Sequence, residues 1–236
     1  MMADTQARHL QIGAVVFPRI DQGDLTGPFE ILSRVPDSTF HLLWKEKTPI
    51  PDARGLILTP QKTFPEAPQL DLLVLPGGPG QEALMEDEIV LSFVQRQARG
   101  ASYILSVCTG ALLCGAAGLL KGVRATTHWS AHHLLPYFGA IPVNARVVVD
   151  GKYITTAGVT AGLDGALRVV VFLRNDLIAQ QIQLAIEYAP EPPFDSGTLR
   201  TAPPEVVAAA RSATREITDA RLATARRIAG RLGVQV

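Results

Sequence analysis

The chain has 236 residues, 47% of them hydrophobic, enough to bury one large core or one core with an appendage. Lys plus Arg and Asp plus Glu stand at 22 each, so the formal net charge is zero and nothing attracts nucleic acid or an anionic membrane over long range. Met1-Met2-Ala3-Asp4-Thr5-Gln6 carries an acid and no apolar run, and every later apolar stretch is broken well short of a bilayer span. The expectation is therefore no signal peptide and no membrane contact. The two cysteines, Cys108 and Cys114, fall on different faces of one predicted helix at about 100° per residue. A disulfide between them is not expected, and a reducing cytoplasm fits.

Gln11 to Phe17 reads as a buried strand stopped by Pro18, and Asp24-Leu25-Thr26-Gly27-Pro28 opens a helix. Phe40 to Trp44 and Leu70 to Leu75 are further strands, the latter ended by Pro76-Gly77-Gly78-Pro79-Gly80. A helical pattern from Leu84 to Val94 stops at Gly100, and Tyr103 to Val107 is a strand feeding into Cys108 and a small-residue helix from Gly110 to Leu120. Fully apolar strands alternating with amphipathic helices predict a mostly parallel sheet covered on both faces. Arg146 to Val149 and Tyr153 to Thr156 flank Asp150-Gly151, a hairpin signal. A helical stretch from about Gly162 to Tyr188 carries a break signal at Asn175-Asp176. The proline-rich segment from Pro190 leads to Pro203-Pro204 and a last amphipathic helix, about Glu205 to Leu232. Its arginines (Arg211, Arg215, Arg221, Arg226, Arg227 and Arg231) are expected on a face packing against its own domain or a partner subunit. One terminal helix leaves no room for paired helix-turn-helix modules, so DNA binding is not expected.

A strand running into Ser106-Val107-Cys108-Thr109-Gly110 and then a helix has the logic of a nucleophile elbow. The helix N-terminus would favour a thiolate at Cys108; the competing reading is an inert core cysteine. Gly77-Gly78, directly after a strand, could present backbone N–H groups to a developing negative charge, or be a plain turn. Beyond strand carboxyl ends of an open parallel sheet, that loop and Cys108 would meet. Asp24 lies beyond the first strand, in the loop before the helix, either capping that helix or exchanging a proton at Cys108. In Thr126-Thr127-His128-Trp129-Ser130-Ala131-His132-His133 the His residues have helical spacing, but Trp129 occupies the Glu position of HExxH. Neither a metal nor a cofactor is expected, and His128 with Trp129 is read as pocket wall or scaffold.

Together these residues resemble the ThiJ/PfpI superfamily, which shares a flavodoxin-like fold with class I glutamine amidotransferases. The resemblance rests on Asp24-Leu25-Thr26-Gly27-Pro28, Pro76-Gly77-Gly78, Ser106 to Gly110, Ala125-Thr126-Thr127-His128-Trp129 and Glu187 to Phe194, and it covers the chain from Gln11 to about Phe194. It implies a three-layer α/β/α sandwich over residues 8–194, with 195–236 as linker and C-terminal helical extension. Protease-like members carry His after the nucleophile where Thr109 stands, and many members carry Glu in place of Asp24. Both departures resemble the bacterial isocyanide hydratase branch, which implies a homodimer acting on a small-molecule isocyanide. That branch implies Cys108, Asp24 and Thr109 as catalytic residues, with Gly77, Gly78 and Thr109 binding the anionic centre. Trp129 and His128, with Val159 and Thr160 of the Gly158 to Gly162 loop, are the expected pocket residues. Glyoxalase or deglycase chemistry, or a redox-sensing or regulatory domain, are the alternatives within the superfamily. Sensor domains of some AraC-type regulators are similar too, but those proteins append a two-module DNA-binding region.

Overall fold

The computed structural model describes residues 8–235. The N-terminal stretch Met1 to Gln6, and Val236 at the end of the expected extension, lie outside them. In chain order the elements begin with β1 (Leu10–Val15), α1 (Gln22–Leu32) and β2 (Ser38–Trp44). The short strands β3 (Ile50–Pro51) and β4 (Ile57–Leu58) form a hairpin of their own, and β5 (Lys62–Thr63) returns to the main sheet. Then come β6 (Leu72–Leu75), α2 (Gln81–Leu84), α3 (Glu88–Gly100), β7 (Tyr103–Ser106) and α4 (Gly110–Ala116). Short β8 (Arg124–Ala125) and β9 (Ile141–Pro142) pair with each other across a 3-10 helix, Trp129–Phe138. The hairpin β10 (Val147–Asp150) and β11 (Tyr153–Thr156) precedes α5 (Ala161–Leu173), α6 (Asp176–Ala185) and α7 (Pro204–Leu232).

The central sheet runs β10-β11-β7-β6-β1-β2-β5, parallel throughout except the β10–β11 edge. Its centre, β2-β1-β6-β7-β11, is the doubly wound flavodoxin-like order, and the winding reverses between β1 and β6. Leu72 to Leu75 are buried on both faces, each side chain worth about 1.5–3 kcal/mol of hydrophobic stabilisation. α1 packs on α5 and α5 on α6 in one layer. In the other, α4 contacts α2, α3 and the 3-10 helix, against which α7 lies. The fold is the expected α/β sandwich with an appended helix.

The hairpin turns at Gly151 with φ of 58°, a conformation open to glycine without strain. The break between α5 and α6 falls at Asn175, whose side chain caps α6 by accepting from the Ile178 N–H. Two expectations need correction. The helix after Cys108 stops at Ala116, four residues short of Leu120, because Gly118 turns left-handed at φ of 77°. Asp24 is in the first turn of α1 and not in the loop before it; Asp21 is the cap, accepting from the Gly23 N–H.

Candidate active site

The parallel sheet delivers Cys108 to its carboxyl edge in a strained turn. Val107 still donates to the Leu75 carbonyl at 3.0 Å, but Cys108 takes φ of 55°, which costs a side-chain-bearing residue about 1–2 kcal/mol. Two bonds hold it there. The Cys108 N–H donates to the Ala157 carbonyl at 3.0 Å, and its own carbonyl accepts from Thr127 Oγ1 at 2.6 Å. α4 can start immediately only because residue 110 is glycine: a Cβ there would stand 1.9 Å from the Leu75 oxygen. The side chain of Cys108 ends nearly closed over, 7% exposed.

Asp24 reaches the same spot from α1, across the point where the winding reverses. It is fully buried, and its Oδ2 accepts from the Gly77 N–H at 2.9 Å. Oδ1 has no hydrogen-bond partner, and the Cys108 thiol beside the carboxyl favours its charged form. Burial, then Asp21, push the Asp24 pKa from its ordinary 3.8 up to about 7; the Gly77 N–H, the thiol and Arg221 hold it from rising further. A Cβ on Gly77 would fall 2.6 Å from Thr109 N and 2.9 Å from Asp24 Oδ2, so glycine lets the two strand ends close together.

The charge state of the thiol departs from the expectation of a helix-stabilised thiolate. Burial, and after it the Asp24 carboxylate, push the Cys108 thiol well above the usual range, against the pull of the Thr109 N–H and Arg221. α4 has only two turns and begins two residues on, so its N-terminus does not outweigh a buried acid in contact with the sulfur. Cys108 and Asp24 are better described as a pair holding one proton between them near neutral pH.

Thr109 does not hydrogen-bond Asp24; its Oγ1 accepts from the Gly78 N–H at 3.2 Å and from Arg221 Nη2 at 3.3 Å. Gly78, at φ of 124°, therefore has its N–H turned onto Thr109, while the Thr109 N–H faces the sulfur. Arg221 comes from α7, is 4% exposed, and also donates to the Gly78 carbonyl at 2.7 Å. Sequence reasoning left it among six arginines of an amphipathic helix. Its spacing held a signal: Arg221, Thr224, Ala225, Ile228 and Ala229 are the buried residues of α7 and follow the i, i+3, i+4, i+7, i+8 stripe.

The expected pocket residues divide. His128 caps the 3-10 helix, its Nδ1 accepting from the Ser130 N–H at 3.3 Å, and burial pulls its pKa down to about 4, so the ring is neutral at physiological pH. Its Cδ2 lies 2.8 Å from where a Gly158 Cβ would be, and its ring is tilted against Trp129. Trp129 lines a cavity of about 300 Å³ with His133, Thr218 and Arg215 of α7, but neither Cys108 nor Asp24 reaches it. Val159 packs over Gly23, and Thr160 is exposed, accepting from Arg146 Nη2 at 3.2 Å. Thr160 is thus not brought to the cysteine. Among the described residues no group of three or more His, Cys, Asp or Glu side chains could hold a metal ion.

A doubly wound sheet that presents a cysteine from a left-handed turn to a buried acid at its switch point defines a nucleophile-elbow protein of the flavodoxin-like class. The chain belongs to the DJ-1/PfpI family, which matches residues 11–171. It is 53% identical over 202 residues to a protein of Pseudomonas putida named isonitrile hydratase, covering 86% of this chain and 89% of that one. A ThiJ/PfpI family protein from Pseudomonas syringae superposes with a TM-score of 0.90 at 40% identity, covering 95% of this chain and 94% of that one. A DJ-1 superfamily protein from Salmonella typhimurium, at 24% identity and a TM-score of 0.69 over 77% of this chain and all of that one, shares the fold.

Proposed function

We propose that this chain is an isonitrile (isocyanide) hydratase, adding water to R–N≡C to give the N-substituted formamide R–NH–CHO. The observation that carries the reading is the 53% identity to the Pseudomonas putida isonitrile hydratase over most of both chains. The geometry supports it: a nearly closed thiol suits a linear reactant whose terminal carbon needs little room.

In this reading the sulfur of Cys108 adds to the terminal carbon and the proton held by Asp24 goes to that same carbon. A thioimidate, R–N=CH–S–Cys108, results with no leaving group released. Asp24, now a carboxylate, takes a proton from the water that attacks the thioimidate carbon and passes it to nitrogen; as the C–S bond breaks and the C=O bond forms, the remaining hydroxyl proton goes to Asp24, which restores the one-proton pair. A carboxyl whose pKa is about 7 can both give and take that proton near neutrality. The Thr109 N–H facing the sulfur steadies the thiolate, and Gly77 orients Asp24. Gly78 serves through Thr109, to which its N–H is bound. His128, packed against Gly158, and Val159, packed against Gly23, are assigned to the wall, with Trp129 supporting the His128 ring.

Residues 8–194 form the catalytic domain in this proposal and residues 195–236 its extension. The protein works as a homodimer, a reading supported by exposed Leu177, Leu184 and Phe194. Two unpaired cysteines fit the cytoplasm.

The experiment is hydration of a simple aromatic isocyanide by the purified chain and by Cys108→Ala, with formamide release and the covalent adduct followed by mass spectrometry. The unaltered chain turns over and carries the adduct; the variant does neither. Full turnover by Cys108→Ala would sink the mechanism, and consumption of methylglyoxal alone would favour the glyoxalase alternative.

A further inference from the structure

Arg221 is a buried guanidinium brought to the reaction centre from the opposite end of the chain. Its Nη2 donates to the Gly78 carbonyl at 2.7 Å and to Thr109 Oγ1 at 3.3 Å, while its Nε has no partner. Among the described residues it is in none of the ion pairs closer than 4.0 Å. A buried cation without a paired carboxylate is costly unless a nearby group supplies the opposite charge.

The charged groups around the centre are few and come from four elements. Asp24 is on α1 with Asp21 as its cap, Cys108 on the turn into α4, Glu82 on α2 and Arg221 on α7. His128, before the 3-10 helix, is neutral. Glu82 accepts from Thr224 Oγ1 at 2.6 Å, and its charge is shared with Arg227 on the outer side of α7. The Cys108–Asp24 pair carries no charge with two protons, one negative charge with one, and two with none. Only the middle state matches one guanidinium.

We propose that Arg221 is a positioning residue for the Cys108–Asp24 pair: its buried charge holds the pair in the one-proton state, and its Nη2 fixes Thr109 and the Gly78 carbonyl beside it. The site is then incomplete without α7, which lies outside the 11–171 region matched to the DJ-1/PfpI family. The proposal depends on Cys108 being the nucleophile but not on which electrophile it attacks.

The test is the pH dependence of Cys108 alkylation by iodoacetamide, read by peptide mapping so that Cys114, whose thiol is pushed up to about 12, is scored separately. In Arg221→Gln the midpoint rises by about one pH unit or more, making alkylation at neutral pH about tenfold slower. Arg221→Lys keeps the charge without the planar fork, and its midpoint stays close to that of the unaltered chain. Arg227→Gln removes the contact between α7 and Glu86 and leaves the midpoint in place. With an isocyanide substrate, the loss of kcat/KM in Arg221→Gln shrinks as pH rises past the new midpoint. An unchanged alkylation midpoint in Arg221→Gln, or a kcat/KM loss equal at every pH, overturns the proposal. Should Arg221→Gln fail to fold, a midpoint raised by about a unit in Arg221→Lys overturns it equally. The alkylation profile needs no hydration, so a chain inactive toward isocyanides still decides the role of Arg221.

Discussion

Replacing Gly110 with alanine tests whether the elbow needs α4 to start against β6. The added Cβ would stand 1.9 Å from the Leu75 oxygen, 2.8 Å from the Leu75 carbon and 3.0 Å from the Pro76 oxygen, all backbone atoms of the central strand and the loop after it. With an ordinary C···O approach of about 3.3 Å, the start of α4 must retreat by roughly 1.4 Å. That retreat stretches the bond from the Val107 N–H to the Leu75 carbonyl, now 3.0 Å, and carries Cys108 away from Asp24 and Gly77. Overpacking of about 1–3 kcal/mol and a damaged buried hydrogen bond of about 1 kcal/mol sum to roughly 3 kcal/mol. For a chain of this length that lowers Tm by about 6–12 °C. Moving a nucleophile by about 1 Å costs roughly a hundredfold in turnover. Thermal melting by circular dichroism and formamide release, measured well below the melting range, read both effects separately. A Tm within about 1 °C of the unaltered chain, against the loss just worked out, would refute the packing argument.

Two further substitutions follow from the same geometry. Gly230 is on an exposed face of α7, where an added methyl group would meet nothing within 4 Å. Gly230→Ala therefore stabilises by about 0.5–1 kcal/mol and raises Tm; a fall would mean α7 is not helical there. Asp24 holds its proton to about 7 in the folded chain and to its ordinary 3.8 when unfolded, so native protein binds the extra proton between those values. Its contribution to stability therefore falls as pH rises from about 4 to about 7, and kcat/KM rises over the upper part of that window as the pair loses its second proton. Asp24→Asn removes this share of the Tm slope and lowers kcat/KM by about 10²–10⁴. An unaltered Tm-against-pH curve in that variant would contradict the raised pKa.

The sheet was legible where single residues carry strong local signals. The short apolar run Leu72 to Leu75, cut off by Pro76-Gly77-Gly78, reads as a strand buried on both faces, and Asp150-Gly151 favours a hairpin. The site was legible as a set of places beyond strand ends, because a parallel sheet gathers those ends at one edge. Its bonding was not. Asp21 and Asp24 are three apart, and either could cap α1; only the packing of Gly77 against α1 decides that Asp24 goes inward. The protonation of Cys108 depends on desolvation and on Asp24, 84 positions earlier in the sequence, neither of which local sequence around the elbow records. Thr160 looked like pocket wall from its loop, yet its hydroxyl is held by Arg146 on the outside.

Arg221 is the instructive omission. Six arginines share α7, and composition makes them equivalent, since each has a long aliphatic stem and the same charge. What separates them is phase: Arg221 heads the stripe of Thr224, Ala225, Ile228 and Ala229 that α7 buries, whereas Arg226 and Arg227 lie off it. Burying that stripe draws the Arg221 side chain inward, and a cation so placed must find a counter-charge or be expelled. The acids whose charge acts on it are Cys108, Glu82 and Asp24, and the Cys108–Asp24 pair carries one negative charge when it shares one proton. Docking of the terminal helix and charging of the nucleophile are in this way one energetic event. Conditions that loosen α7 should therefore quiet the thiol before they melt the sheet.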